Sequence, residues 1–398
     1  MQFLRFVVRL AKTRQVVSMP SSHSLSVYVH IPFCRAKCAY CDFNSYAGLE
    51  SLFHDYVAAV CQEIAIASSR WGSSAITTVY FGGGTPSLLP PEMIGRILHS
   101  LSSAFHILPE SEITLEANPG TVNTPMLHAL RGLGVNRLSL GVQSSHDDEL
   151  RLLGRIHTWR EAIEVVEAAR LAGFENLSLD FIFGLPGQTL RRWRDTLKAA
   201  LELAPEHLSL YALSVEEGTP LWGQIERGNL PTPDDDLVAG MYEHAEEQLA
   251  AAGYHHYEIS NWAREGYLCR HNLTYWCNKP WLGLGAGAHS WLDGQRWANL
   301  PHPEAYIATL RRGETPVAWR EKIDPATEIG ETMMLWLRLA EGADAVRFRE
   351  RFGVEMEAVF GQELAELREA GLLEWDGNTA RLTPRGRLLG NQVFLRFI

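Results

Sequence analysis

Tyr28 to Tyr46 reads YVHIPFCRAKCAYCDFNSY, and three of its residues, Cys34, Cys38 and Cys41, stand at spacing C-x3-C-x2-C. The run that leads into them, SLSVYVHIPF, alternates polar with β-branched and aromatic residues and predicts a strand. Three thiols behind a strand end predict a metal centre, because thiolates are soft ligands suited to iron–sulfur clusters and zinc. A structural zinc site needs a fourth ligand and prefers paired C-x2-C knuckles. Cys61 lies in an amphipathic run and reads as core. Cys269 and Cys277 are remote in sequence, though either could supply a fourth ligand. The sharper reading is a [4Fe–4S] cluster with one iron free of protein ligand, which leaves a position for a small molecule.

Outward from this stretch, ITTVYFGGG, EITLEANP, RLSLGVQS, NLSLDFIFG and HLSLYALS repeat the strand signature. Between them LFHDYVAAVCQEIAIA, PEMIGRILHSLSSAF, TPMLHALRGLG, EAIEVVEAARLAG and TLRRWRDTLKAALEL carry apolar residues at helical spacing. Six such β–α units predict a parallel sheet, either open or curved into a barrel. Polar and glycine-rich features recur just after strand ends, which suits a barrel with one functional rim. FGGGTP, Phe81 to Pro86, lets backbone approach a ligand closely, and it is no Walker loop because no Gly-Lys-Ser/Thr follows. Glu116 in EANP, Gln143 in GVQS, Arg155 in the loop after the fourth strand and Asp180 in LDFIFGLPGQ fall at or near strand ends too. On one rim they could hold a zwitterion with a ribose, since a carboxylate accepts from ammonium or hydroxyl groups and a guanidinium forks a carboxylate.

Beyond Pro220 the pattern changes. Residues 221–235 read as a loop, DDLVAGMYEHAEEQLAAAG as a helix and HHYEIS as a strand, and Asn261 to Asn299 as irregular backbone packed by aromatic rings. From about Pro301, two helical runs and a hairpin turning at Asp376-Gly377 suggest a winged-helix-like module. The expected organisation is a leader over 1–22, a barrel with its Trp- and His-rich extension over 23–300, and a C-terminal module over 301–398. The leader reads as disordered, or as a start placed too early with Met19 the true one. The chain carries 36 basic against 47 acidic residues, which argues against nucleic acid as a partner and against more than weak association with an anionic membrane. Six cysteines in 398 residues are no disulfide scaffold, and no run of 18 apolar residues occurs, so the expected location is cytoplasmic.

C-x3-C-x2-C with Tyr40 before its last cysteine, followed by GGGTP, resembles the radical S-adenosylmethionine (SAM) superfamily. YVHIPFC, E-x-N-P, G-V-Q-S and D-F-I-F-G-L-P-G-Q in that order resemble its coproporphyrinogen oxidase branch, over roughly Ser24 to the C-terminus. The resemblance implies an α/β fold, a partial (β/α)6 TIM-like barrel. It implies that Cys34, Cys38 and Cys41 bind [4Fe–4S] and that SAM chelates the open iron. It further implies that Tyr28, Tyr40, Gly83, Gly84, Thr85, Glu116, Gln143, Arg155 and Asp180 contact SAM, or a second SAM in the oxidase. The oxygen-independent oxidase carries a further cysteine two residues after the third, where Phe43 stands here. His271-Asn272-x-x-Tyr275-Trp276 is similar to the H-N-x-x-Y-W hallmark of the heme chaperone family HemW, which resembles the oxidase but binds and delivers heme.

That likeness makes heme a third expected cofactor, with His271 as candidate ligand and Tyr275, Trp276, Trp281 and Trp291 as flat apolar surface. By its residues alone His271 also reads as a packed core histidine, and His255, His256 and His289 as structural or exposed. The expected function is a heme chaperone, its partners a hemoprotein acceptor such as a respiratory cytochrome and a low-potential electron donor, with a homodimer implied by family analogy. The alternatives are oxygen-independent coproporphyrinogen III oxidase, a radical SAM enzyme on another substrate, and a DNA-binding regulator using the wing. Residues 301–398 hold more acidic than basic side chains, which disfavours the last.

Overall fold

In the computed structural model, which describes residues 24–398, the first strand is β1 (Ser24–Ile31). The leader expected over 1–22 lies outside the described residues. Leu25, Val27, Val29 and Ile31 of β1 are fully buried, and Ser26, Tyr28 and His30 point to the opposite face. Five strands continue the pattern: β2 (Ala75–Gly83), β3 (His106–Ala117), β4 (Arg137–Gln143), β5 (Leu177–Phe183) and β6 (His207–Ala212). All five junctions from β1 to β6 are parallel. Strands covered on both faces bury nearly every residue, as in β4 and β5.

The crossovers are helices α1 (Phe53–Trp71), α2 (Pro91–Ala104), α3 (Thr124–Gly132), α4 (Trp159–Leu171) and α5 (Leu190–Glu202). Local chemistry sets where they start. Asn123, Thr158 and Thr189 cap their helices with side-chain oxygens, and Glu161 returns the bond to Thr158 in a capping box. The six strands in chain order, each followed by a helix or a returning loop, form the arc of the expected partial barrel.

Past β6 the structure departs from the expectation at two places. Pro220–Glu226, expected as loop, is a short helix, α6, capped by Thr219. Asn261 to Asn299, expected as irregular, is mostly regular: β8 (Asn261–Ala263), α7 (Arg270–Trp276), β9 (Trp281–Leu284), β10 (His289–Leu292) and β11 (Gln295–Asn299). These strands have three to five residues, too few for alternation to show against dense Trp and Gly. With β7 (His255–Glu258) and β12 (Val317–Lys322) they extend the sheet to twelve strands in the order β12-β11-β10-β9-β1-β2-β3-β4-β5-β6-β8-β7. β9 runs parallel to β1, pairing Tyr28 with Gly283.

Buried Glu63 of α1 ties this extension to the barrel. Its carboxylate accepts from Gly285 N (2.8 Å), Asn299 Nδ2 (2.6 Å) and the Tyr306 hydroxyl. Burial pushes its pKa up to about 7 despite those bonds.

β12 and helix α8 (Pro303–Arg311) lie within the stretch expected to open the C-terminal module, yet β12 pairs with β11 and α8 packs on α1. A separate hydrophobic core begins at Ile329 and includes Met333, Phe348, Leu364 and Phe397. It is built from α9 (Pro325–Trp336), α10 (Ala345–Phe352) and α11 (Met356–Glu369) over a small antiparallel sheet of β13 (Ala343–Asp344), β14 (Leu373–Trp375) and β15 (Thr379–Leu382). The hairpin turns at Asp376, whose carboxylate accepts from Asn378 N and Thr379 N. The two cores meet where Asn278 donates to Thr332, Arg351 donates to the Cys277 and Asn278 carbonyls, and Glu258 bridges Leu339. Among the described residues no helix is long and apolar enough to cross a membrane.

Candidate functional site

Cys34, Cys38 and Cys41 lie on the segment that leaves β1, in which Phe33–Cys34 pairs in parallel with Tyr46–Ala47 as a short two-stranded sheet, and the chain is held there by its neighbours. Gly84 N donates to Ile31 O (2.8 Å), Thr85 N to Phe33 O (2.8 Å) and Tyr46 N to Pro32 O (2.7 Å). Each thiol has a distinct polar contact: Thr85 Oγ1 donates to Cys34 Sγ (3.5 Å), Arg155 Nη1 to Cys38 Sγ (3.4 Å), and Ser45 Oγ lies 3.9 Å from Cys41 Sγ. All three thiols are half-buried. Burial raises the Cys34 pKa, and Cys38 and Cys41 push it the same way. No three His, Cys, Asp or Glu among the described residues are grouped to hold a single ion. Three neighbouring thiols so arranged fit a cluster that offers three separate irons. The zinc alternative finds no fourth ligand here, since Cys269 is buried against Glu112 and Cys277 lies at the junction of the two modules.

The rim residues converge on this loop. Arg155 bridges it to the sheet, Nη2 donating to Gly141 O (2.6 Å), and Tyr40 packs beside it against Leu153, Ile182 and Leu185. Burial pushes the Tyr40 pKa up. Gln143 closes β4 in left-handed backbone (φ 75°), a strained conformation for a non-glycine residue at a strand end. Glu116 accepts from Gly83 N (3.1 Å) and from the Tyr80 hydroxyl (2.8 Å). Burial lifts its pKa to about 7, assisted by the Asp180 carboxylate. Asp180 accepts from Ser139 Oγ (3.0 Å) and Ser178 Oγ (3.1 Å), and its own pKa is raised by burial. Gly83 and Gly84 form a backbone cradle packed so closely on the end of β1 that neither has room for a side chain. A Cβ on Gly84 would stand 2.7 Å from Phe33 O, and one on Gly83 (φ 114°) 2.5 Å from the His30 ring.

Below the rim, α7 carries His271 and Tyr275 to the inner wall. His271 is 1% exposed and stacks on Tyr80 with centroids 4.9 Å apart. Its Nδ1 lies 2.7 Å from Thr78 Oγ1 and its Nε2 2.9 Å from the Tyr275 hydroxyl. Burial and the nearby Arg137 push its pKa down to about 3. The ring is therefore neutral, and axial ligation requires one of its two hydrogen bonds to break. Tyr28, Tyr80, Glu116, His271, Tyr275 and Trp276 line a cavity of about 380 Å³, together with Glu258, Asn261 and Arg338. Trp281 packs edge-on to Tyr275 and Trp291 pairs across from Trp281, so neither lines the cavity. His255 and His289 are exposed at the sheet, and His256 stacks on Trp262.

The sequence pattern of the radical SAM superfamily matches residues 28–200, and that of the HemN C-terminal domain matches 323–389. The chain is 38% identical to the heme chaperone HemW of Bacillus subtilis, covering 94% of this chain and 99% of the relative. It is 42% identical to the HemW of Synechocystis over 80% of this chain and 78% of the relative. The chain belongs to the HemW family. Its fold also matches the solved structure of the Escherichia coli coproporphyrinogen III oxidase HemN, with TM-score 0.84 and 24% identity over 99% of this chain and 93% of that one.

A [4Fe–4S] cluster and SAM are the cofactors of the radical SAM superfamily, and the thiol loop and glycine cradle of this HemW-family chain fit both. Phe43, two residues past the third cysteine, is 65% exposed beside the loop. Many of the candidates taken from the sequence are linked, Cys38 through Arg155 to Gly141, Cys34 to Thr85, and Gly83 through Glu116 and Tyr80 to His271, whereas Trp281, Trp291, His255 and His289 stand apart from the cavity. Sequence reading missed Tyr80, Glu258, Asn261 and Arg338. Tyr80 had a signal, since it shares the inward face of ITTVYFGGG with Thr78. Arg338 had none: it follows a helix of the other core, and only the packing of the two modules brings it to the cavity.

Proposed function

We propose that the protein is a heme chaperone, which binds heme and hands it to a hemoprotein acceptor such as a respiratory cytochrome while holding a SAM-bound [4Fe–4S] cluster. The observation that carries this reading is the likeness to HemW chaperones over nearly the whole of both chains. Cys34, Cys38 and Cys41 hold the cluster, which with SAM supplies one-electron chemistry when bound and calls for a low-potential donor. Gly83 and Gly84 admit SAM against the backbone. Glu116 and Asp180 accept from its ammonium and hydroxyl groups, with Tyr28, Thr85 and Gln143 around them. Arg155 aligns the loop with the rim, and Tyr40 packs beneath it. Heme enters against α7, its flat face toward the wall of Tyr28, Tyr275 and Trp276.

Heme titration of the anaerobically reconstituted protein, followed by transfer to an apo-cytochrome, tests the reading. A Soret shift that His271→Ala abolishes or moves is expected; no shift at all overturns the function, and a shift indifferent to His271→Ala overturns this placement of heme. The same variant leaves Thr78 and Tyr275 without their shared partner. It should lower stability by about 1–3 kcal/mol in denaturant melts.

SAM binding should depend on pH. The Glu116 carboxyl is raised from 4.5 to about 7, so the ionised form that accepts from an ammonium is populated only as pH rises through about 7. SAM affinity is therefore expected to be about tenfold weaker near pH 6 than near pH 8. Glu116→Gln should flatten that profile; an unchanged profile in this variant assigns the dependence elsewhere. The sign for stability is opposite. The protonated native form is favoured at low pH, and its contribution is lost between 4.5 and about 7.

A further inference from the structure

Arg338 enters the cavity from the C-terminal module, two residues past the end of α9 and beside the Glu258–Leu339 bridge. Its guanidinium carbon lies over the Trp276 ring, 4.4 Å from the centroid, and 5.5 Å from the centroid of Phe394. Its Nε has no hydrogen-bond partner, and no ion pair engages the guanidinium among the described residues. Burial lowers its pKa, the signature of a cation stripped of water without a compensating anion in contact. Glu258, the acidic group nearest in effect, is 1% exposed, hydrogen-bonds Asn261 and is itself pushed toward the neutral form by burial. Much of the remaining lining is aromatic: Tyr28, Tyr80, His271 and Tyr275. Trp276 Nε1, Asn261 Oδ1 and Glu258 Oε2 in the same lining are also buried without a partner, and Arg338 is the one permanently charged group among these four; a guanidinium recognises carboxylate by forked hydrogen bonds.

We propose that Arg338 is the carboxylate anchor of this cavity and binds a propionate arm of the tetrapyrrole, so that the C-terminal module closes the ligand site from its far side. This rests on the heme-chaperone reading. Trp276 holds the guanidinium by a cation–π contact, and the H-N-x-x-Y-W helix and the C-terminal module bind one ligand together.

The test titrates the full-length protein with heme and with heme dimethyl ester, in which both carboxylates are masked, following Soret absorbance. Wild-type protein should bind the ester at least about tenfold more weakly than heme. Arg338→Met, which keeps the stem packing, should lose a similar factor for heme and bind heme and ester alike, with an unchanged thermal melt. Arg338→Lys, which keeps the charge without the fork, should fall between. Equal wild-type affinity for heme and ester, or wild-type heme affinity in Arg338→Met, overturns the anchor while leaving the chaperone reading intact. Absence of heme binding by the wild-type protein overturns both. The wild-type comparison needs no variant to fold.

Discussion

Replacing any one of Cys34, Cys38 or Cys41 with serine is expected to remove essentially all visible cluster absorbance from the anaerobically reconstituted protein. Each thiol has its own position and its own neighbour, Thr85, Arg155 or Ser45, and none duplicates another. Serine oxygen is a harder ligand and is protonated at neutral pH, so it does not replace a soft thiolate on iron. The apoprotein should nevertheless fold normally. The three cysteines are half-buried on a loop and belong to neither hydrophobic core. Iron and sulfide analysis alongside circular dichroism separates the two effects. A triple variant that keeps full iron content would refute the assignment.

Gly84→Ala should have the next largest effect, on SAM binding and on cluster retention together. Gly84 N donates to Ile31 O, and an added Cβ would stand 2.7 Å from Phe33 O and 3.0 Å from Ile31 O. Both obstacles are backbone atoms of the segment that leads directly to Cys34, so relief comes only from moving that segment. Overpacking of this kind costs about 1–3 kcal/mol. The displaced loop should weaken SAM binding by about tenfold or more, since each 1.4 kcal/mol is a factor of ten. Calorimetric SAM titration and iron content per chain read the two losses. Gly132→Ala, on a helix where an added Cβ meets nothing within 4 Å, is the control and should change neither. Wild-type SAM affinity in Gly84→Ala would show that the cradle is not where SAM lies.

The barrel arc and the cofactor rim were legible because they rest on short-range signals. β1 to β6 alternate or bury continuously within single strands, four of their five crossover helices start at Asn, Thr or Pro, and a strand end fixes where the next residue emerges. Cys34, Gly83, Glu116 and Gln143 could be placed on one rim from such local rules alone. The Trp- and Gly-rich segment could not be read this way. Its strands are too short to show a period, and their place beside β1 depends on Gly285 fitting between His30 O and the Tyr56 hydroxyl, on Glu63 reaching across, and on Gly283 lying opposite Tyr28.

Residue types and spacing were enough to name the chemistry available to this protein: three soft ligands within eight residues, a glycine run after the second strand, carboxylates at strand ends, and the His271 to Trp276 motif. Tertiary structure alone decided how that chemistry is disposed. It made His271 a neutral ring with both nitrogens engaged, and it raised Glu116 to about 7. It also delivered Arg338, more than sixty residues beyond Trp276, to the same cavity. The physical reason is that burial, which sets charge state and leaves a donor unsatisfied, is a property of what packs around a residue, and for these residues the neighbours come from distant strands and a second core.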